Sequence, residues 1–140
     1  MNRRILQITM IVVGAMQLIF GAMLAVAPAQ FGATFGFEEA PAWVYWMFAG
    51  AGGRSLAFAY GMFLAARQPE RHLSWIQGMI GVQAVDWLAT LYGINTGAFT
   101  LAQAGMAAVL PLVFVALLLV FYPRKQTSTL KTLTQPEIHS

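Results

Sequence analysis

Cysteine is absent from this 140-residue chain, histidine occurs only at His72 and His139, and charged residues make up 9%. Each shortage excludes something. Without cysteine there is no disulfide, no thiolate nucleophile and no iron–sulfur ligation. One histidine borders a loop and the other lies in the tail, so no pair of imidazoles faces a core and haem ligation within one chain is excluded. Glu137 and His139 supply only half of the four ligands of a closed zinc site. No metal site is expected. Nucleophile–base pairs, glycine-rich phosphate loops and carboxylate dyads are also missing, so no catalytic residue is assigned. Eight basic against five acidic residues give a net charge of +3. No basic stripe with interleaved aromatics exists for a nucleic-acid strand to follow, so no nucleic-acid partner is expected.

What the chain has in abundance is apolar surface. A hydrophobic content of 59% and a mean hydropathy of +0.65 do not describe a soluble domain, which carries about 25% charged residues. They fit a small integral membrane protein. Four apolar stretches, about 5–27, 43–66, 73–92 and 100–122, reach the roughly 20 residues that a helix needs to cross a bilayer. Between the first two, Gln30–Pro41 carries Phe31, Phe35 and Phe37 and then Glu38 and Glu39, and reads as a short amphipathic turn at the outer interface. Arg3, Arg4, Arg67, Arg71, Arg124, Lys125 and Lys131 fall in the N-terminus, the second loop and the C-tail, while the first and third loops hold no Lys or Arg. The positive-inside rule then places both termini in the cytoplasm. Met1–Arg4, the apolar run and Ala27-Pro28-Ala29 imitate a cleavable signal peptide. A signal core is typically about 7–15 residues and this run is longer, so the first span is read as a retained helix.

Two charges remain inside the spans: Arg54 and Asp86. An ionised side chain at mid-bilayer costs about 2.5–3.5 kcal/mol on insertion scales, so each should face a partner or a cavity. Arg54 lies 13 residues above Arg67, Asp86 14 above His72, and Gln17 13 above Arg4. At 1.5 Å per residue, all three sit about 20 Å from the cytoplasmic rim. Arg54 and Asp86 are also symmetric about Glu70 in the connecting turn, so an antiparallel hairpin brings them level. Pro111 occupies the same height on the fourth span, as a kink or a gate. Gln83, Asp86 and Thr90 share one helical face, with Trp87 adjacent. Gly14, Gly21, Gly50, Gly53 and Gly61 flank this layer, which suits either close helix packing or a pocket.

Four readings of the layer stand side by side. Arg54 and Asp86 form a structural ion pair with Gln17 and Gln83 completing its hydrogen bonds. Alternatively, Arg54 offers its five-donor fork to a carboxylate, phosphate or carbonyl. Asp86 then orients the fork, and Gln17, Gln83, Thr90 and Trp87 complete the ligand site. Proton relay through Asp86 is the third, and catalysis, which would need a cofactor this sequence does not advertise, is the fourth.

The short basic loop after Leu64-Ala65-Ala66-Arg67, the glycine-rich run Ala49-Gly50-Ala51-Gly52-Gly53-Arg54 and the chain length carry a resemblance. In these features the chain resembles the DoxX-like group of small four-helix bacterial membrane proteins. Some members are linked to membrane redox complexes and quinone chemistry. The resemblance therefore implies a membrane-complex subunit or a quinone-adjacent role, with quinone the one cofactor it brings into view. It transfers no catalytic residue. Small four-helix multidrug exporters carry an acidic residue in the first helix where this chain has Gln17, and its strong charge bias argues against their dual topology.

The sequence thus predicts an all-α, four-transmembrane-helix up-down bundle over 1–125 in the bacterial inner membrane, followed by a polar tail over 126–140. The leading functional expectation is a non-enzymatic protein that self-associates or serves a larger membrane complex, pinned by Arg54 and Asp86. The alternative is a protein that binds or transports a small anionic, carbonyl or quinone-like ligand at the same layer.

Overall fold

An apolar run free of proline builds the first helix, α1 (Arg3–Val26), and Pro28 ends it. The residue before a proline is pushed away from helical backbone, so Ala27 becomes the break. Pro28 then opens the short α2 (Pro28–Thr34), where its missing N–H has no partner to lose. Residues 30–34 of the expected interfacial turn are therefore helical. In this computed structural model residues 3–34, 36 and 40–123 are described. Phe35, Phe37, Glu38, Glu39 and the chain from Arg124 onward, with Lys125, Lys131, Glu137, His139 and the expected tail, lie outside the described residues.

Pro41 precedes α3 (Ala42–Arg67), and Gln68-Pro69 closes it. A 3₁₀ turn over Pro69–Arg71 leads into α4 (Leu73–Asn95). Beyond it, Gly97 takes a φ of 72°, a value that suits glycine. Thr100 starts the next helix with a reciprocal cap. Its hydroxyl accepts from the Gln103 N–H at 3.2 Å, and its own N–H donates to Gln103 Oε1 at 2.8 Å. That helix, α5 (Leu101–Ala104), stops at Gly105, whose φ is 50°. A 3₁₀ turn over Gly105–Ala108 follows, and then α6 (Leu110–Val120) with Pro111 in its first turn. The stretch expected as one helix over 100–122 is thus two helices about a 3₁₀ turn. Gly105 leaves the helical conformation, and Pro111 has no N–H to carry a helix through.

The described residues are helical throughout their regular structure, with no strand among them. α1 packs along α3 and α4 along α6, while contacts between α3 and α4 and between α1 and α6 close the ring. At one end, Gln7 Nε2 of α1 donates to the Ala66 carbonyl of α3 at 2.9 Å, and Gln77 Nε2 of α4 donates to Tyr122 Oη at 2.7 Å. The core lies at this same end: Leu6, Met10 and Val13 of α1 meet Met62 and Ala65 of α3, Ile76 and Met79 of α4, and Phe114 and Leu118 of α6. Toward the other end, α1 and α3 meet backbone to backbone. A Cβ placed on Gly52 would fall 2.7 Å from the Ala25 nitrogen and 2.8 Å from the Gly21 oxygen.

Among the described residues two segments are long and apolar enough to cross a membrane: Arg3–Val26 and Leu101–Val120. Only 28% and 22% of their most apolar windows are buried inside the protein. The core helix of a soluble protein would turn most of its apolar surface inward. α3 and α4 have the length, at 26 and 23 residues. Arg54 on one and Asp86 on the other dilute their apolar character.

Candidate functional site

The turn at Pro69–Arg71 reverses the chain tightly, so residues equally far from Glu70 along α3 and α4 come level. Arg54 and Asp86 are such a pair, and the structure brings them together. Arg54 Nη2 lies 3.3 Å from Asp86 Oδ1 and 3.4 Å from Oδ2. A single nitrogen is shared between both oxygens. The remaining nitrogens of the fork, Nε and Nη1, make no hydrogen bond among the described residues. The two side chains are 50% and 38% exposed. A sealed ion pair would engage the fork through two nitrogens and exclude solvent. This one keeps donors free.

Both members of the pair line a cavity of about 730 Å³ between all four long segments. Gln17 and Phe20 of α1, Phe31 of α2, Phe48 and Ser55 of α3, and Gln83 and Thr90 of α4 line it. The 3₁₀ turn with Met106, then Pro111 and Phe114 of α6, complete the wall. Gln83 is only 8% exposed, yet its Nε2 finds nothing better than Met79 Sδ at 3.7 Å. Gln17 Nε2 leans on the same sulfur at 3.8 Å. A thioether is a weak acceptor. Neither glutamine carbonyl has a hydrogen bond among the described residues. No fully enclosed side-chain nitrogen or oxygen is left unpaired among the described residues, and both glutamines line the cavity with hydrogen-bonding capacity to spare. Thr90 Oγ1 donates back to the Asp86 carbonyl at 2.8 Å and still has lone pairs to offer.

Of the residues singled out from the sequence, Arg54, Asp86, Gln17, Gln83, Thr90 and Pro111 line one cavity. Trp87 does not. Its indole N–H donates to the Ala108 carbonyl at 3.1 Å, tying α4 to the 3₁₀ turn. Trp87→Phe keeps the ring and removes the donor. It should lower stability in detergent by about 1 kcal/mol, the usual net value of one hydrogen bond. Faster amide exchange confined to 105–109 would accompany the loss. Unchanged exchange there would show that the indole does not hold the turn.

Sequence reasoning missed the aromatic side of the cavity. Phe31 stacks edge-on between Phe20, at a ring-centroid distance of 6.1 Å, and Phe48, at 6.3 Å, and so draws α2 over the cavity. Pro28 was the available signal, because a proline at a helix's first position announces a helix rather than a loose turn. Ser55 and Gln103 were also missed, the latter although Thr100-x-x-Gln103 is a helix-starting pattern. Among the described residues no three His, Asp or Glu side chains gather as metal ligands. No protein family, curated protein or solved structure matches this chain.

Proposed function

We propose that this chain is a four-span, up-down protein of the bacterial inner membrane with cytoplasmic termini, and that it binds a small amphiphile bearing a carbonyl head. The outward-facing apolar surface of α1 and of Leu101–Val120 supports the membrane setting. Arg3, Arg4, Arg67 and Arg71, gathered where α1 starts and α3 ends, support the orientation.

The partly used guanidinium carries the binding reading. Arg54, whose Nε and Nη1 make no hydrogen bond among the described residues, lines a cavity whose volume and apolar walls are those of a small-molecule site. Asp86 already offsets the charge of Arg54, so a second full anion would meet a carboxylate beside its binding group. A neutral carbonyl avoids that charge repulsion and can accept from Arg54, with the Gln17 and Gln83 amides, which can both donate and accept, lining the same cavity. The body of the ligand would lie along Phe20, Phe31, Phe48 and Phe114. A quinone has this chemistry, in line with what the DoxX-like resemblance implies. No residue is assigned a catalytic role.

A short-chain ubiquinone analogue should raise the thermal unfolding temperature of the purified protein in detergent. Arg54→Lys should fold and lose that rise, because an ammonium cannot hold Asp86 and a carbonyl in one plane. Equal stabilisation of Arg54→Lys would remove the guanidinium from the site.

A second reading has its own observation. α3 and α4 touch sparsely, and the pair bridges them. In that reading the chain is an accessory or self-associating membrane subunit and the pair is a pin. Native mass spectrometry of protein extracted gently from its own membrane separates the two. A defined small molecule lost in Arg54→Ala supports the first, and a clean oligomer or a co-purifying protein supports the second.

A further inference from the structure

At the opposite end of the protein from the aromatic wall, a second cavity of about 590 Å³ opens between the start of α1 and the end of α3. Arg4 and Arg67 flank it, with Gln7 beside them, and Ile8, Ile11 and Phe63 form its floor. The charge accounting there is uneven. Arg3 pairs with Glu70 at 3.8 Å, whereas neither Arg4 nor Arg67 has an ion pair among the described residues. Two guanidiniums from different helices thus stand over apolar ground with no anion between them. Phe63 packs on Gly14, 3.1 Å from where a Cβ would sit, so the floor is recessed where a larger residue would raise a ridge.

We infer that this groove binds one anionic phospholipid of the cytoplasmic leaflet. Its phosphodiester would lie between Arg4 and Arg67, and an acyl chain along Ile8, Ile11 and Phe63. Paired guanidiniums recognise phosphate oxygens through forked hydrogen bonds. Basic recesses between membrane helices at the cytoplasmic side are suited to acidic head groups. Free phosphate would use the arginines alone and leave the apolar floor without a role. The inference rests on the membrane setting and is independent of the Arg54 cavity, so Arg54→Lys leaves it intact.

The test compares binding of dioleoyl phosphatidylglycerol and dioleoyl phosphatidylcholine to the full chain in detergent, read by native mass spectrometry and thermal shift. Wild type should retain one phosphatidylglycerol in preference to phosphatidylcholine. Arg4→Gln with Arg67→Gln should weaken that binding about thirtyfold, taking the usual contribution of two basic residues at an acidic membrane surface. Arg3→Gln with Arg71→Gln removes the same charge from the same end and should change it little. Ile11→Trp fills the groove from its lipid-facing side, leaves every charge in place, and should also weaken retention. Equal losses in the two arginine pairs would reduce the effect to diffuse attraction and overturn the site. So would an Ile11→Trp protein that binds as wild type does. Stabilisation by inorganic phosphate equal to that by phosphatidylglycerol would reassign the groove to free phosphate. If the Arg4–Arg67 variant does not fold, Ile11→Trp decides alone.

Discussion

Gly52→Ala should lower the stability of the detergent-solubilised protein by about 1–2 kcal/mol, while Gly50→Ala and Gly53→Ala should leave it unchanged or raise it. Two effects compete at each position. Alanine is favoured over glycine inside a helix by about 1 kcal/mol. Overpacking of a tight interface costs about 1–3 kcal/mol. At Gly50 and Gly53 nothing lies within 4 Å of an added Cβ, so only the first effect acts. At Gly52 the added carbon meets the Ala25 nitrogen at 2.7 Å and the Gly21 oxygen at 2.8 Å, and both are backbone atoms that no rotamer change can move. α1 and α3 would have to part by roughly 0.7 Å to restore ordinary van der Waals separation. The looser packing along their shared length then outweighs the propensity gain. Gly52→Leu should prevent folding. Thermal unfolding monitored by circular dichroism reads all four variants. Indistinguishable midpoints for Gly52→Ala and Gly53→Ala would show that α1 and α3 do not cross at this glycine.

That contrast marks where the sequence stops being legible. Apolar length is a one-dimensional signal, so the apolar stretches and the helices agree to within a few residues at α1, α3 and the start of α4. The pairing of Arg54 with Asp86 was legible for a similar reason. A tight turn sets the register of an antiparallel hairpin, and counting outward from Glu70 reaches both. Helix rotation is another matter. Gly52 and Gly53 are neighbours in the chain but about 100° apart around the axis, and composition alone does not show which one meets α1. The glycines therefore suited either close packing or a pocket, whereas within the run one glycine makes the crossing and two face open space. The fourth stretch is long and apolar enough to cross a membrane, and only its continuity as one helix was misread. Its mean hydropathy is high across the break, because Gly105 and Pro111 interrupt a helix through backbone conformation and a missing donor, with little change in polarity. Trp87 was placed in the site for its position in the chain, one residue from Asp86. A single step along a helix turns the side chain away, toward Ala108.

The largest electrostatic effect should come from Asp86→Asn, and it should exceed that of Arg54→Ala. Removing one member of a fully buried ion pair costs about 3–5 kcal/mol, since the other charge is left uncompensated. Here the side chains are 50% and 38% exposed, so a loss of about 1–2 kcal/mol is expected. The two orphans are not equivalent. A carboxylic acid left alone in apolar surroundings can take up a proton and become neutral, whereas a guanidinium stays charged. Asp86→Asn therefore leaves a permanent cation in a cavity that Phe48, Leu110 and Phe114 also line, with neutral amide carbonyls, that of the new asparagine among them, in place of a carboxylate. Arg54→Ala removes that problem along with the pair. The double variant should recover most of what Asp86→Asn loses, with a coupling of about 0.5–1.5 kcal/mol in thermal or denaturant unfolding. Strictly additive losses would mean that the two side chains, though 3.3 Å apart, do not stabilise one another. The same cycle repeated with the quinone analogue present separates pin from site. A ligand that uses the free Nε and Nη1 of Arg54 should stabilise the wild type but neither single variant, because Asp86 holds the fork in the plane that the carbonyl needs. A pin that serves packing alone would leave the ligand's effect the same in all four proteins.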